Sequence, residues 1–508
     1  MGQRNYGIII SYANVILHAV IGIIYVPLLL SYIGKSEYGI YQLIGSLIAY
    51  FGIMDFGLTT VVVRYYAKYK ALNDKIGMEN ILAISTRAFS VITFFLLLIG
   101  AGLYYEFDSI FGQSMSIVEL QSAKKVLLLL IINIVVTIST MTYQAVIMAN
   151  QRYIFLKGLE TVQLVIQPIL MICILEQYPS AFSVALVQTI LNVLLVLMRI
   201  YYSYNKLKIK IKFHYWNKEL YLHIRKLAVT TFLVAIVNQV YFKTGQIILG
   251  IVDGTTAVAI FSISTIIYMN YMALSAAICG VYLPHVTALI AKKTKMNIIS
   301  NLFIKIGSLQ YLVLFLALTI FIFWGDEFIY FWAGDGFQEA YYITLLIIVP
   351  FTIDLIQNVG LCILQAMNRY DIRARVYTVM GVANILLSIF LAKMYGGIGC
   401  AIAIGLSMAL GNGVWMNYYY SKEIKLKIKF FWVYIYNLTF RLFPFVFLCF
   451  CMNELVIKDY VKSSIECLIG TIFSYIIIYS LVVYNRCISS HNKRKIKLFL
   501  GKRGFFNV

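Results

Sequence analysis

The chain has 508 residues, 61% of them hydrophobic and only 12% charged, about half the charged fraction of roughly 25% found in soluble domains. So few charges cannot cover a water-soluble body of this length, and with 6 Pro the composition also excludes collagen-like and disordered chains. The formal charge of +21 would mark a nucleic-acid surface in a soluble protein; here the basic residues come in bursts between apolar stretches, the pattern that orients a polytopic membrane protein, and no nucleic acid is expected.

A membrane-crossing helix needs about 20 apolar residues. That ruler places fourteen spans in chain order, at 7–33, 38–63, 80–104, 124–148, 156–175, 180–203, 227–251, 256–290, 298–324, 339–366, 374–394, 397–420, 432–453 and 461–485. The first apolar stretch is too long for a signal peptide and lacks a cleavage site, so it is expected to remain as a span. The eighth is long enough to kink or to leave the bilayer. Pro27, Pro168, Pro284, Pro350 and Pro444 fall inside spans, where the missing N–H is expected to bend the helix.

Of the 42 basic residues, 33 lie on one alternate set of connections. That set includes Arg64, Lys68 and Lys70, the run from Arg199 to Lys226, Arg369, Arg373 and Arg375, and a basic tail. The opposite set is acidic, with Glu106, Asp108, Glu119, Asp326, Glu327 and Asp335. Both termini are therefore expected on the cytoplasmic side. The Lys/Ile alternations at 206–213 and 425–430 read as juxtamembrane segments attracted to anionic lipid rather than as strands. The eight cysteines form no CxxC or Cys/His cluster, so neither metal nor disulfide is expected.

The chain repeats itself. Ala149-Asn150-Gln151-Arg152-Tyr153 returns as Ala366-Met367-Asn368-Arg369-Tyr370, and Lys206-Leu207-Lys208-Ile209-Lys210 returns as Lys425-Leu426-Lys427-Ile428-Lys429. Six spans separate the copies, so both copies run in the same direction, a transporter arrangement. The expected division is a six-helix lobe over 1–226, a second over 227–431, two additional helices over 432–485 and a basic tail over 486–508.

Tyr25-Val26-Pro27-Leu28-Leu29-Leu30, Glu37-Tyr38-Gly39-Ile40-Tyr41-Gln42 and Met54-Asp55-Phe56-Gly57-Leu58 resemble the opening of bacterial polysaccharide-repeat-unit flippases of the Wzx type. Ala149-Asn150-Gln151-Arg152-Tyr153 and Tyr395-Gly396-Gly397-Ile398-Gly399 resemble later segments of that family, which shares a superfamily with MATE exporters and lipid II flippases. The resemblance implies an all-α polytopic fold with two parallel six-helix lobes in a V and two C-terminal helices. It implies a bacterial cell membrane location and movement of a polyprenyl-pyrophosphate-linked oligosaccharide to the outer leaflet by alternating access. A polysaccharide polymerase and glycosyltransferases are the implied partners, and no cofactor is implied.

Ionisable groups inside spans are costly and point to working residues. Lys243 and Arg87 are the candidate cations for a pyrophosphate, with an ion pair of Lys243 to Asp354 or Asp55 as the structural alternative. Arg87 can also snorkel to the cytoplasmic surface. Asn238, Gln239 and His18 are candidates for sugar hydroxyls, His18 matching Asn238 or Gln239 across the repeat. Asp55 and Asp354 are the carboxylates placed to bind a coupling H+ or Na+, Asp55 with a packing or gating role as the alternative. A MATE-type drug exporter and a membrane-embedded polysaccharide polymerase or glycosyltransferase are the competing functions; the short connections leave little room for a catalytic domain, so no enzyme is expected.

Overall fold

A computed structural model describes residues 3–216, 218–367, 369–462 and 464–487. The described residues contain helices and connections and no strand. In order the helices are α1 (Gln3–Gly52), α2 (Leu58–Ala71), α3 (Lys75–Tyr105), α4 (Phe107–Phe111), α5 (Ile117–Ser139), α6 (Met141–Ala149), α7 (Tyr153–Leu175), α8 (Ala181–Asn205) and α9 (Lys218–Val252). They continue with α10 (Thr255–Ala291), α11 (Met296–Ala333), α12 (Glu339–Leu355), α13 (Asn358–Ala366), α14 (Tyr370–Met408), α15 (Asn417–Lys422), α16 (Ile428–Met452), α17 (Lys458–Lys462) and α18 (Ile465–Val482).

Ten helices or helix runs among the described residues are long and apolar enough to cross a membrane, eleven if α12 and α13 count as one bent span. Two of the runs, Ile21–Ala71 and Asp371–Lys422, are 51 and 52 residues long. At 1.5 Å per residue each would measure about 76 Å, more than twice a hydrocarbon core of about 30 Å. Each therefore holds two crossings. The breaks lie at Gly34, with φ 71°, and at Tyr395–Gly396, where Gly396 has φ 51°. Only glycine enters that left-handed region without steric strain.

Three spans expected to be continuous are interrupted, and none of the interruptions is at a proline. All five intramembrane prolines sit within helices and away from these breaks. The span at 38–63 breaks through the 3-10 turn Ile53–Asp55 and the left-handed pair Phe56 and Gly57. The span at 124–148 breaks at Thr140, between α5 and α6. The span at 339–366 bends by 43° between α12 and α13. In lipid a broken helix must satisfy its freed backbone groups from side chains or neighbours. Asp55 does this by accepting from the Thr59 N–H at 3.2 Å, Thr140 Oγ1 by donating to the Val136 carbonyl at 2.6 Å, and Ser275 Oγ by donating to the Leu355 carbonyl at 2.8 Å.

The irregularities fall in repeat register. Gly34 and Gly254, both left-handed, are 220 residues apart, as are Asn73 and Lys293. Thr140 and Gln357, at the interruptions of two spans, are 217 apart. Backbone geometry thus repeats where most of the sequence does not. By packing, the chain forms two compact units, Met1–Ile263 with Asn384–Cys400, and Ser264–Ala383 with Ala401–Val508. Packing and duplication divide the chain differently, since α9 and the opening of α10 pack with the first copy.

The core of the first unit includes Val62, Ile81, Ala145, Val146 and Leu156, which bring α2, α3, α6 and α7 together. In the second unit Phe323 and Trp324 of α11 pack against Leu442 of α16 and Tyr475 and Tyr479 of α18. Phe440, Phe443 and Phe447 on α16 are instead exposed, an outward apolar face suited to lipid rather than water.

Candidate functional site

Helix α9 carries Lys243, one of the two candidate cations. Lys243 lies nine residues before Val252, about 14 Å along the axis, and 17 residues after Lys226, about 25 Å. An extended lysine side chain does not cover either distance, so the ammonium stays at membrane depth. The neighbouring Thr244 hydroxyl lies 2.5 Å from the phenol of Tyr50 on α1, and Gln246 Nε2 donates to Ser262 Oγ on α10 at 2.9 Å. Phe232, earlier on α9, packs on Phe56 at the break after α1, with centroids 4.8 Å apart. These contacts fix the rotation of α9 and leave Lys243 half-buried with no hydrogen bond or ion pair among the described residues. Gln239, one turn earlier, shares its face. The side chains of Asn238 and His18 lie outside the described residues.

Both carboxylates that could have neutralised Lys243 are engaged elsewhere. Asp55 Oδ1 accepts from the Thr59 backbone N–H at 3.2 Å and from its hydroxyl at 2.8 Å, so it caps α2 below the break. Asp354 Oδ2 pairs with Arg373 Nη2 at 3.3 Å, with both side chains only 11% exposed. Among the described residues no ion pair joins Lys243 to Asp55, the structural alternative within the same unit, whereas Glu160 makes the local pair with Lys157, at 2.7 Å.

Arg87 is exposed on α3 and meets an aromatic ring. Its guanidinium lies over the Phe213 ring, 3.9 Å from the centroid. Phe213 belongs to the irregular segment after α8, which is held against α3 by Asn80: its Oδ1 accepts from the His214 N–H at 3.0 Å, and its Nδ2 donates to the Tyr215 carbonyl at 2.9 Å. Glu79 Oε2 adds a hydrogen bond with His214 Nε2 at 2.9 Å. The structure thus groups Arg87 with the basic juxtamembrane segment and not with Lys243.

A buried constellation in the second unit was missed by counting charges. Tyr377 OH donates to Asp354 Oδ2 at 3.0 Å and accepts from Arg373 Nη2 at 2.6 Å and from Asn412 Nδ2 at 3.0 Å. Asn412 lies in a π-helical segment, Ala409–Met416, the kind of widened turn that recurs at functional sites. Counting along the chain places Arg373 in one basic connection with Arg369 and Arg375. The missed signal is angular: two residues make about 200° on a helix, so Arg373 and Arg375 cannot face the same way. Arg375 is indeed exposed, pairing with Asp371 at 3.4 Å.

Intramembrane cations, broken spans capped by side chains and duplicated backbone irregularities define a multi-pass membrane protein of transporter type. A model of the family described as "Polysaccharide biosynthesis protein" matches residues 6–290, more than half of the chain, and the chain belongs to that family. A Shigella flexneri protein described as "Putative O-antigen transporter" is 23% identical over 401 residues, covering 77% of this chain and 91% of its own. Among solved structures, the lipid II flippase MurJ in an inward closed conformation superposes with a TM-score of 0.71 at 17% identity, covering 95% of this chain and all of its own. An inward-facing MATE-family multidrug transporter of the MOP superfamily gives 0.64 at 12% identity, covering 80% of this chain and 94% of its own. The fold is that of these flippases and exporters, and the expectation of an all-α polytopic fold like theirs is met.

Proposed function

We propose that this protein is a flippase that moves polyprenyl-pyrophosphate-linked oligosaccharide units from the cytoplasmic to the outer leaflet of a bacterial cell membrane by alternating access, for surface polysaccharide synthesis. The observation that carries the reading is Lys243, an ammonium held about 14 Å from the nearer helix end without a carboxylate partner among the described residues. A membrane-depth cation lacking its counter-charge is expensive, and an anionic head group would supply that charge. Charge-assisted bonds to phosphate are strong in a low-dielectric site, and a cationic drug has no use for such a residue. Gln239, with Asn238 and His18, offers hydrogen bonds to sugar hydroxyls, while Arg87 and the basic segment beside it draw the substrate to the cytoplasmic surface. Of the two carboxylates, Asp55 carries any coupling to H+ or Na+ in this reading, because Asp354 is already neutralised by Arg373.

The reading keeps two six-helix lobes over 1–226 and 227–431, two additional helices over 432–485, a basic tail over 486–508 and both termini in the cytoplasm; glycosyltransferases would act on the cytoplasmic side before transport and a polymerase on the outer side after it. The test is the leaflet distribution of polyprenyl-linked glycans in cells lacking the gene, read with an impermeant sugar-oxidising label. Complete units trapped inside and released by restoring the gene are expected. Lys243→Gln should insert normally yet leave the units trapped, and Asp55→Asn should remove any response to a proton or sodium gradient. A normal outer pool in deleted cells, or full activity of Lys243→Gln, would overturn the corresponding part.

A further inference from the structure

The turn after Gly34 and the turn after Gly254 are repeat-related, and both belong to the first compact unit. They meet at one carboxylate. Glu119, in the first turn of α5, accepts on Oε1 from Ser36 Oγ at 2.5 Å and from Thr255 Oγ1 at 2.6 Å. The two hydroxyls lie 3.2 Å from each other. The other oxygen, Oε2, accepts from the Ser116 N–H at 2.9 Å and its hydroxyl at 2.8 Å, which locks the Glu119 rotamer. Four donors on one carboxylate make a charge-assisted junction, stronger than neutral hydrogen bonds of the same number.

The surroundings are built to keep that junction close. Glu37 fixes the first turn independently, accepting from Ser122 Oγ at 3.0 Å and the Ala181 N–H at 2.7 Å. Ser114 Oγ donates to the Gly250 carbonyl at 2.6 Å, which anchors the end of α9. A side chain on Gly39 would collide with the Thr255 carbonyl, so glycine there permits the approach. Thr255 is the first residue of α10, a helix whose opening packs in the first unit and whose remainder, from Ser264, belongs to the second. A contact on its first residue therefore acts on the helix that joins the two units.

We propose that Glu119, Ser36 and Thr255 form a lock on the outer end of α10 that must open once in every transport cycle. The proposal rests on the transport reading above for its role and on this geometry for its existence, and the two are tested apart. In the full-length protein in membrane vesicles, Ser36→Cys with Thr255→Cys should cross-link under copper phenanthroline. Delivery of lipid-linked glycan to the outer leaflet should then stop, and return in the same vesicles after reduction. Failure to cross-link, or unchanged delivery by the cross-linked protein, would overturn the lock.

The second measurement needs no substrate. Val258, one turn into α10, is fully buried. Val258→Cys should react slowly with an impermeant maleimide in intact cells, counted above the labelling of the native cysteines. Adding Glu119→Ala should speed that reaction about tenfold, since charge-assisted bonds are lost. Equal rates would overturn the lock even in a protein that transports, and faster labelling would uphold it even if the substrate proves to be different.

Discussion

Asn192 and Asn412 stand 220 residues apart, at matching places in the two copies of the repeat, yet they serve different chemistry. Asn192 Nδ2 donates to Asn133 Oδ1 at 2.8 Å and to Thr137 Oγ1 at 2.7 Å, a junction of neutral groups between α5 and α8. Asn412 Nδ2 donates to a phenol that is itself bonded to an ion pair. Position 137 of the first copy matches 354 of the second at the offset of 217, so threonine stands where the second copy has aspartate. A polar anchor joins two spans in each copy, neutral in the first and bonded to an ion pair in the second. Neutral interhelical bonds tolerate loss of one partner; a buried ion pair does not, because the remaining charge is stranded.

The largest effect should follow from breaking that pair. Arg373→Ala leaves Asp354 buried without its cation and should lower stability by about 3–5 kcal/mol, read as thermal unfolding of the detergent-solubilised protein. Combining Asp354→Leu with Arg373→Met removes both charges and should recover most of the loss, since apolar replacements of a buried pair are often neutral. If the double variant unfolds as early as the single one, charge is not what distinguishes the second copy.

How much of this was legible in the sequence differs by feature. The spans and the paired crossings at Gly34 and Gly396 were visible because length and hydropathy set them. The interruption at Thr140 was not, because Ser139, Thr140 and Met141 carry neither proline nor glycine and the apolar run continues through them. Asp55 and Gly57 did mark the break at 53–57, but an acid in a span reads as a coupling site without showing that it also caps a helix, and the bond to Thr59 is a structural observation. Arg373 was hidden by counting basic residues along a line when the helix distributes them around an axis. The junction at Glu119 joins residues 83 and 136 positions away, and sequence spacing carries no trace of such contacts.

A smaller effect should come from making the copies more alike at a close approach. Gly39 of the first copy matches Ala259 of the second at the offset of 220, and Ala259 is fully buried without difficulty. Gly39→Ala would push a methyl group against the Thr255 carbonyl. Overpacking of this kind costs about 1–3 kcal/mol, so earlier thermal unfolding than in the unsubstituted protein is expected. An unchanged unfolding temperature would mean that the two turns are not held together as closely as the structure has them.

The smallest effect tests the neutral half of the comparison. Asn192→Ala removes two hydrogen bonds between α5 and α8, but Asn133 keeps the Thr189 hydroxyl as a partner at 3.3 Å and Thr137 keeps the Asn133 carbonyl at 2.8 Å. No charge is stranded, and interhelical bonds in membranes average only about 0.6 kcal/mol each. The expected loss is therefore about 1 kcal/mol, measured in the same unfolding assay. Asn412→Ala should cost more, because Tyr377 then loses the donor that helps orient its hydroxyl toward Asp354. Equal losses at the two asparagines would show that the ion pair does not depend on its amide neighbour.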